Sequence, residues 1–358
     1  MIVIQARHVV LSGLSVSGSS TPGSAGVDIL DGSDHVVVRN SRIARNAGFG
    51  IDASGSTNVT IAGNDVSDSG TGIQVNRAGS GTRITGNVVH DNRRMLRDDP
   101  TPSTDFGAVG IGFLHTTGPI RASGNRIYGN RAPSHDYGYD GSGFEIFGAS
   151  GVAMTGNVIY DDQTILETGK SSSDPGCSGN SFTRNVAYGG NDKSTSRSGG
   201  PQVLGLQLRC AENMLVANNT FYDLDDWIYR IAYDSRFAGS LDGLRVLNNI
   251  NQELDAKIYA LGGGIVSGIQ IDFNLDDSGT APVATIDGEP AARTVAELRA
   301  RTGFADHEVG TGSRMRDPAA RRFLPTRSSP AIDHGTTIPG VTAGSHGRAP
   351  DMGAKESR

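Results

Sequence analysis

The sequence predicts an all-β solenoid built from one short unit repeated along most of the chain. Three observations predict it. The first is self-similarity: "VDILDGSDHVVVRNSRIARN", "IDASGSTNVTIAGNDVSDSG", "FEIFGASGVAMTGNVIYDD" and "LQLRCAENMLVANNTFYDL" share one strand, turn, strand, Asn, strand layout. The second is strand length. Runs of three to five residues alternate apolar and polar side chains between Gly, Asn, Ser and Asp, which is too short for a sandwich. The third is an Asn at the second turn of each unit: Asn40, Asn64, Asn87, Asn125, Asn157, Asn185, Asn218, Asn248 and Asn274. A side-chain amide at a fixed turn bonds the neighbouring coil and tolerates left-handed backbone. Stacked coil on coil, each strand pairs with its equivalents about 4.8 Å above and below. The predicted architecture is therefore a single-stranded right-handed parallel β-helix over residues 1–286. Residues 287–358 are expected to form a C-terminal cap on the last coils, with one short helix over 294–303.

The first strands start near Val27, Ile51, Ile73, Ile111, Phe144, Leu166, Leu204, Tyr229 and Ile258. The chain opens "MIVIQARHVVLSGLSVSG", already in mid-repeat, with no basic segment followed by an apolar one. Either the protein is cytosolic or it is exported with its leader and first cap missing from this sequence, and the second is the expectation. With 50 glycines and few aromatics, yet recurrent apolar triplets, the profile is not that of a disordered chain. A net charge of -6 argues against a nucleic-acid partner. No apolar run approaches the roughly 20 residues that span a bilayer.

The coils are not uniform. Extra residues fall at 93–110, 130–143 and 189–203, always after the third strand and before the next first strand. Three long loops at one turn are expected to wall a groove over the first-strand face, since unstructured loops beyond about 12 residues are usually functional or disordered. The plainer reading is a set of tolerated surface insertions.

On that face, alternate residues point outward. Val27 and Ile29 leave Asp28 outside, Ile51 and Ala53 leave Asp52, and Ile73 and Val75 leave Gln74. Phe144 and Ile146 leave Glu145; Leu166 and Thr168 leave Glu167. Further along come Gln207 and Arg209, with a register open by two, and then Arg230. The 22 residues between Glu145 and Glu167 are one coil, so the two carboxyls are expected to be stacked neighbours. Like charges about 5 Å apart repel and raise one pKa unless something bridges them.

Three explanations stand. One carboxyl is a general acid and the other a nucleophile, at the short spacing of a retaining glycosidase; a wider gap with Asp140 or Asp136 suits inversion. Alternatively the pair binds Ca²⁺ through its oxygens. Or Arg209 or Arg230 bridges it as a structural ion pair.

The repeat over about residues 1–280 resembles the pectin-lyase-like family of right-handed β-helix proteins. The closing stretches "TVAELRARTGFADHE", "SSPAIDHG" and "GRAPDMGAKE" resemble the end of many secreted β-helix carbohydrate-active enzymes. That resemblance implies a polysaccharide or oligosaccharide substrate on the loop-walled face. "LETGKS" and "LQLRC" are further similar to the chondroitinase-B and alginate-lyase type of β-helix lyase. This implies Lys170 as base, Arg209 as acid and Glu167 as a calcium ligand. The pattern departs from that type: Glu167 lies three residues before Lys170, its strand lacks a second acid, and Cys210-Ala211 stands where His-Gly usually follows the Arg.

The loop "SHDYGYDG" places His135, Asp136, Tyr137, Tyr139 and Asp140 just before the Glu145 strand. Tyr is suited to stacking on a sugar and Asp to hydrogen-bonding hydroxyls; an ordinary polar loop is the bland alternative. Trp227, the only tryptophan, either lines the groove or plugs a coil. Cys177 and Cys210 fall at corresponding turns of neighbouring coils, within reach of a disulfide, and a bridge favours a secreted or cell-surface protein.

The leading expectation is a glycoside hydrolase needing no cofactor. Its catalytic residues are Glu145 as acid, Glu167 as nucleophile or base, and Asp140 as a third carboxyl. Lys170, Gln207, Arg209 and Arg230 join the loop in binding substrate. A Ca²⁺-dependent uronate lyase and a non-catalytic glycan binder are the alternatives.

Overall fold

In the computed structural model, which describes residues 1–357 apart from 78, 102–103, 190–201, 234–238 and 263–267, the chain winds through three long parallel sheets. The first strand of each coil joins a sheet of eleven, running from Ile2–Ile4 to Ala284–Ile286. The second and third strands each join a sheet of ten. This is the right-handed parallel β-helix that the repeat predicts. All nine expected first strands lie in the eleven-stranded sheet, which has one more strand at either end.

Period-2 alternation fixes the register. Ile51, Ile73, Ile111, Phe144, Leu166, Leu206, Tyr229 and Tyr259 pair in sequence across the first sheet, and all are fully buried. A slip of one residue would turn this whole column to solvent. Burying each such side chain contributes about 1.5–3 kcal/mol. Trp227 is buried and pairs with Lys257, so it packs in the wall rather than lining the groove.

The second turn carries an amide ladder. The side-chain carbonyl of Asn87 accepts from Asn64 N–H (2.9 Å) and Nδ2 (3.0 Å), and the same pattern repeats to Asn125, Asn157, Asn185, Asn219, Asn249 and Asn274. The expectation was one residue off at three places. Ser41, Asn219 and Asn249 occupy the ladder turn, while Asn40, Asn218 and Asn248 precede it in left-handed backbone. Sequence "NN" permits either choice; the second Asn takes the ladder and the first, in left-handed backbone, serves the cap. Asn218 Nδ2 donates to Asp351 O (3.0 Å) and Asn248 Nδ2 to Thr336 O (2.8 Å), tying the chain's last segment along the final coils.

The C-terminal helix, Val295–Thr302, is bounded by its own chemistry. Thr294 Oγ1 accepts from Glu297 N–H (3.1 Å), and Gly303 closes it at φ +71°. Glu308 then ends the ladder, accepting from Asn274 N–H (3.1 Å) and Nδ2 (2.9 Å). Among the described residues, no helix is long and apolar enough to cross a membrane.

Candidate active site

Two of the three long loops have structure of their own. Met95–Arg97 pairs antiparallel with Phe106–Gly107, and Ala132–Ser134 with Gly138–Asp140. The loop at 189–203 lies mostly outside the described residues. The two hairpins interlock: Asp105 Oδ2 accepts from Ser134 Oγ (2.6 Å) and Asp136 N–H (2.8 Å), while Asp136 Oδ2 accepts from Thr104 N–H (2.9 Å). Asp98 Oδ1 accepts from His135 N–H (2.8 Å). Carboxylates bonded to backbone N–H groups hold the wall rigid in a way that exposed side-chain pairs do not.

Behind this wall lies a groove of about 320 Å³ whose floor includes Glu145 and Glu167 of the first sheet's outward column. The column reads Asp28, Asp52, Gln74, Gly112, Glu145, Glu167, Gln207, Arg230 in paired register. Glu145 and Glu167 are thus direct strand neighbours. Gln207 takes the column position that the sequence left open between itself and Arg209. Arg209 follows the strand end and turns back, its guanidinium pairing with Glu167. With its amide oxygen turned toward it, Gln207 accepts from Arg209 Nε at 3.0 Å. The backbone N–H groups of Arg209 and Cys210 both donate to Thr168 Oγ1, at 3.1 and 3.2 Å.

Cys177 and Cys210 form a disulfide with Cα atoms 5.8 Å apart, stapling the turn beside Arg209 to the coil before it. Gly141 explains how Asp140 reaches the floor. Its φ of +129° is open to glycine alone, and a Cβ there would stand 2.7 Å from the carbonyls of Ala108 and Asn130.

The groove's electrostatics separate its acids. Burial, then repulsion from Glu167 and Asp140, pushes the Glu145 carboxyl up to about 8, with Arg209 opposing. Burial and then Glu167 push Asp140 up to about 7, against a hydrogen bond from Gly141 N–H (2.8 Å). Glu167 instead has its guanidinium partner.

The expected residues divide accordingly. Asp140, Glu145, Glu167, Arg209 and Tyr137 line the groove. Lys170, one residue past the lining Gly169, does not; nor do His135, Asp136, Tyr139, Gln207 and Arg230. Asp136 and the His135 backbone are spent on locking the hairpins, and Tyr139 pairs with Pro133 in the hairpin ladder. Arg230 is exposed two strands beyond Glu167. Sequence reasoning missed Asp105, which closes the groove between the hairpins, and His115, at the opposite rim. Asp105 carried one legible signal, its place in the long loop; His115 carried none.

Residues 25–203, half of the chain, match the family described as "Right handed beta helix region". The fold is similar to that of pectate lyase Pel9A, with a TM-score of 0.63 at 13% identity over 98% of this chain and 87% of that one. It is also similar to DFA-IIIase from Arthrobacter chlorophenolicus A6, with a TM-score of 0.45 at 13% identity over 80% of this chain and 56% of that one. No curated protein matches the sequence.

Proposed function

The chain belongs to the right-handed β-helix family, and from that premise we propose that its walled face cleaves glycosidic bonds in a polysaccharide or oligosaccharide, as a retaining glycoside hydrolase. The observation that carries this reading is a set of carboxyls held in one groove under opposed influences. Glu145 is pushed up to about 8 by burial and its neighbours, while Glu167 is paired with Arg209. A carboxyl pushed up by burial, standing beside one held by a guanidinium, suits an acid and a nucleophile working together. Adjacent strands stand about 4.8 Å apart, close to the roughly 5–5.5 Å carboxyl spacing of retaining enzymes.

In this reading Glu145 gives its proton to the glycosidic oxygen as that bond breaks. A Glu167 oxygen bonds the anomeric carbon, and Arg209 holds the other end of the carboxylate in place. Glu145, now a carboxylate, takes a proton from water, whose oxygen displaces Glu167 and regenerates both groups. Asp140 keeps Glu145 protonated by adding charge beside it. Tyr137 offers an apolar face at the wall. The Cys177–Cys210 disulfide supports a secreted or cell-surface setting.

The second reading, a Ca²⁺-assisted uronate lyase, draws on the name of the pectate lyase whose fold is similar. Its requirements fit poorly here. Arg209 already holds Glu167, and Lys170 stands outside the groove.

Incubation with a glycan panel, followed by reducing-end and ultraviolet assays, separates the readings. Reducing ends without new absorbance, and a first product of retained anomeric configuration by NMR, are expected. An absorbing C4–C5 double bond in the product overturns hydrolysis. Glycan binding without either signal leaves the binder.

A further inference from the structure

A second polar constellation lies at the far rim of the same groove. His115 follows the strand Val109–Leu114, and its imidazole is 38% exposed and lines the groove. Its Nδ1 lies 2.6 Å from Asp174 Oδ1, a carboxylate only 6% exposed. Asp174 is itself held, its other oxygen accepting from Ser171 N–H (2.7 Å) and Oγ (2.9 Å).

The two residues come from coils that are not adjacent. His115 follows the strand that pairs with Ser142–Phe147, and Asp174 follows the strand on the far side of it, Thr164–Gly169. The intervening turn is Gly148, and a Cβ there would stand 2.6 Å from Asp174 Cγ. Glycine at that one turn is the window through which Asp174 passes a whole coil to reach the ring. The turn at Gly148 closes by backbone, its N–H donating to Gly169 O at 2.9 Å, so the His115 contact is an addition to it.

We propose that His115, oriented by Asp174, binds a hydroxyl of the sugar unit next to the cleaved bond, and that the substrate is a neutral glycan. The proposal rests on the carbohydrate reading above and deepens it. With Nδ1 committed to Asp174, Nε2 is the hydrogen-bonding atom left to a ligand. His115 follows the Leu114–Phe147 pair, three residues along the chain from the Gly112–Glu145 pair, which is about 10 Å. That distance is too far for the reacting atoms and suits a neighbouring ring. Phe147, edge-on to the imidazole with centroids 6.0 Å apart, supplies the apolar floor between them. The preference for a neutral ligand follows from the lining: among the described residues, Asp105, Asp140, Glu145 and Glu167 share the groove with one guanidinium, already paired, and Asp174 offsets any charge on His115. A uronate here would add charge to a lining already rich in carboxyls.

The test measures binding of neutral and uronic-acid tetrasaccharides to the intact protein and to His115→Asn, Asp174→Asn and the double variant. Asn is chosen at 115 because φ there is +49°, a conformation Asn adopts readily and Ala does not. Unchanged melting temperatures establish that each variant folds; should Asp174→Asn melt early, His115→Asn decides alone. The intact protein is expected to prefer a neutral tetrasaccharide. Each single variant should bind it about tenfold more weakly, and the double variant no more weakly than either. On the cleaved substrate KM should rise with kcat kept. Unchanged affinity in His115→Asn, or preference for the uronate, overturns this inference and leaves the hydrolase reading standing. Absence of any saccharide binding by the intact protein overturns both.

Discussion

Two stacked acid pairs stand on the outer face of the first sheet, and only one of them is enclosed. Asp28 and Asp52 are strand neighbours in the same column and register as Glu145 and Glu167. Burial raises both Asp28 and Asp52, and Ser54 Oγ (2.7 Å) and Gln74 Nε2 (3.3 Å) donate to Asp52 to offset it. The difference lies in the turn before the strand. Four residues, 45–48, precede Phe49–Ser54, whereas thirteen, 129–141, precede Ser142–Phe147 and fold into a hairpin over it. A stacked pair of carboxyls is therefore tolerable furniture of this solenoid. Enclosure, a third acid and a guanidinium turn one pair into a candidate for chemistry.

The sharpest way to break that contrast is isosteric substitution. Glu145→Gln and Glu167→Gln should each lower kcat/KM on the cleaved glycan by about 10³-fold or more, within the range of lost acid–base or nucleophilic catalysis. Asp52→Asn should change it less than twofold. Equal effects at Asp52 and Glu145 would show that the column acts as a unit and that the walls are incidental.

The enclosed region is also the one that is covalently stapled. Replacing Cys177 and Cys210 together by Ser opens a loop with a sequence separation of 33, costing roughly 3–4 kcal/mol by loop entropy. The expected result is a lower midpoint in urea, reproduced in the intact protein by reductant. Because Cys210 follows Arg209 directly and shares Thr168 Oγ1 with it, kcat should fall as well. A stability loss with kcat untouched would separate the staple from the site.

How much of this was legible follows from what each feature depends on. The fold depends on local periodicity and a recurring turn amide, so short repeats exposed it, and the misplacements at 40–41, 218–219 and 248–249 concerned only which residue of the turn takes the ladder. The adjacency of Glu145 and Glu167 followed from counting one coil. What periodicity does not encode is the direction a long loop takes: the Asp136 carboxylate and the His135 backbone tie hairpin to hairpin, and neither residue lines the groove. Arg209 lay beyond the strand, where alternation gives no direction, and the His115–Asp174 contact skips a coil through a missing Cβ. Those contacts are tertiary and leave no repeat.

The pH profile sharpens the comparison further. A general acid must be protonated, so activity should fall as pH rises through about 8, the value to which Glu145 is pushed. Asp140 contributes to that rise, and Asp140→Asn should move the basic limb down by about half a pH unit. A limb that moves upward, or does not move, would remove Glu145 from the acid's role.

The smallest effect concerns stability. A carboxyl whose folded pKa exceeds its unfolded value keeps a proton that the unfolded chain gives up between pH 4.5 and about 8. The folded state then binds more protons, and stability falls as pH rises through that window. At pH 4 both states are protonated and Glu145 costs little; at pH 7 the cost is of order 1–3 kcal/mol. Glu145→Gln carries no such charge, so its melting temperature should match the intact protein at pH 4 and exceed it at pH 7. At Asp52, where two donated hydrogen bonds stabilise the ionised form, Asp52→Asn should bring little gain at pH 7. If the gain is the same at both positions, the groove imposes no special burden on its acid, and the distinction between the two pairs collapses.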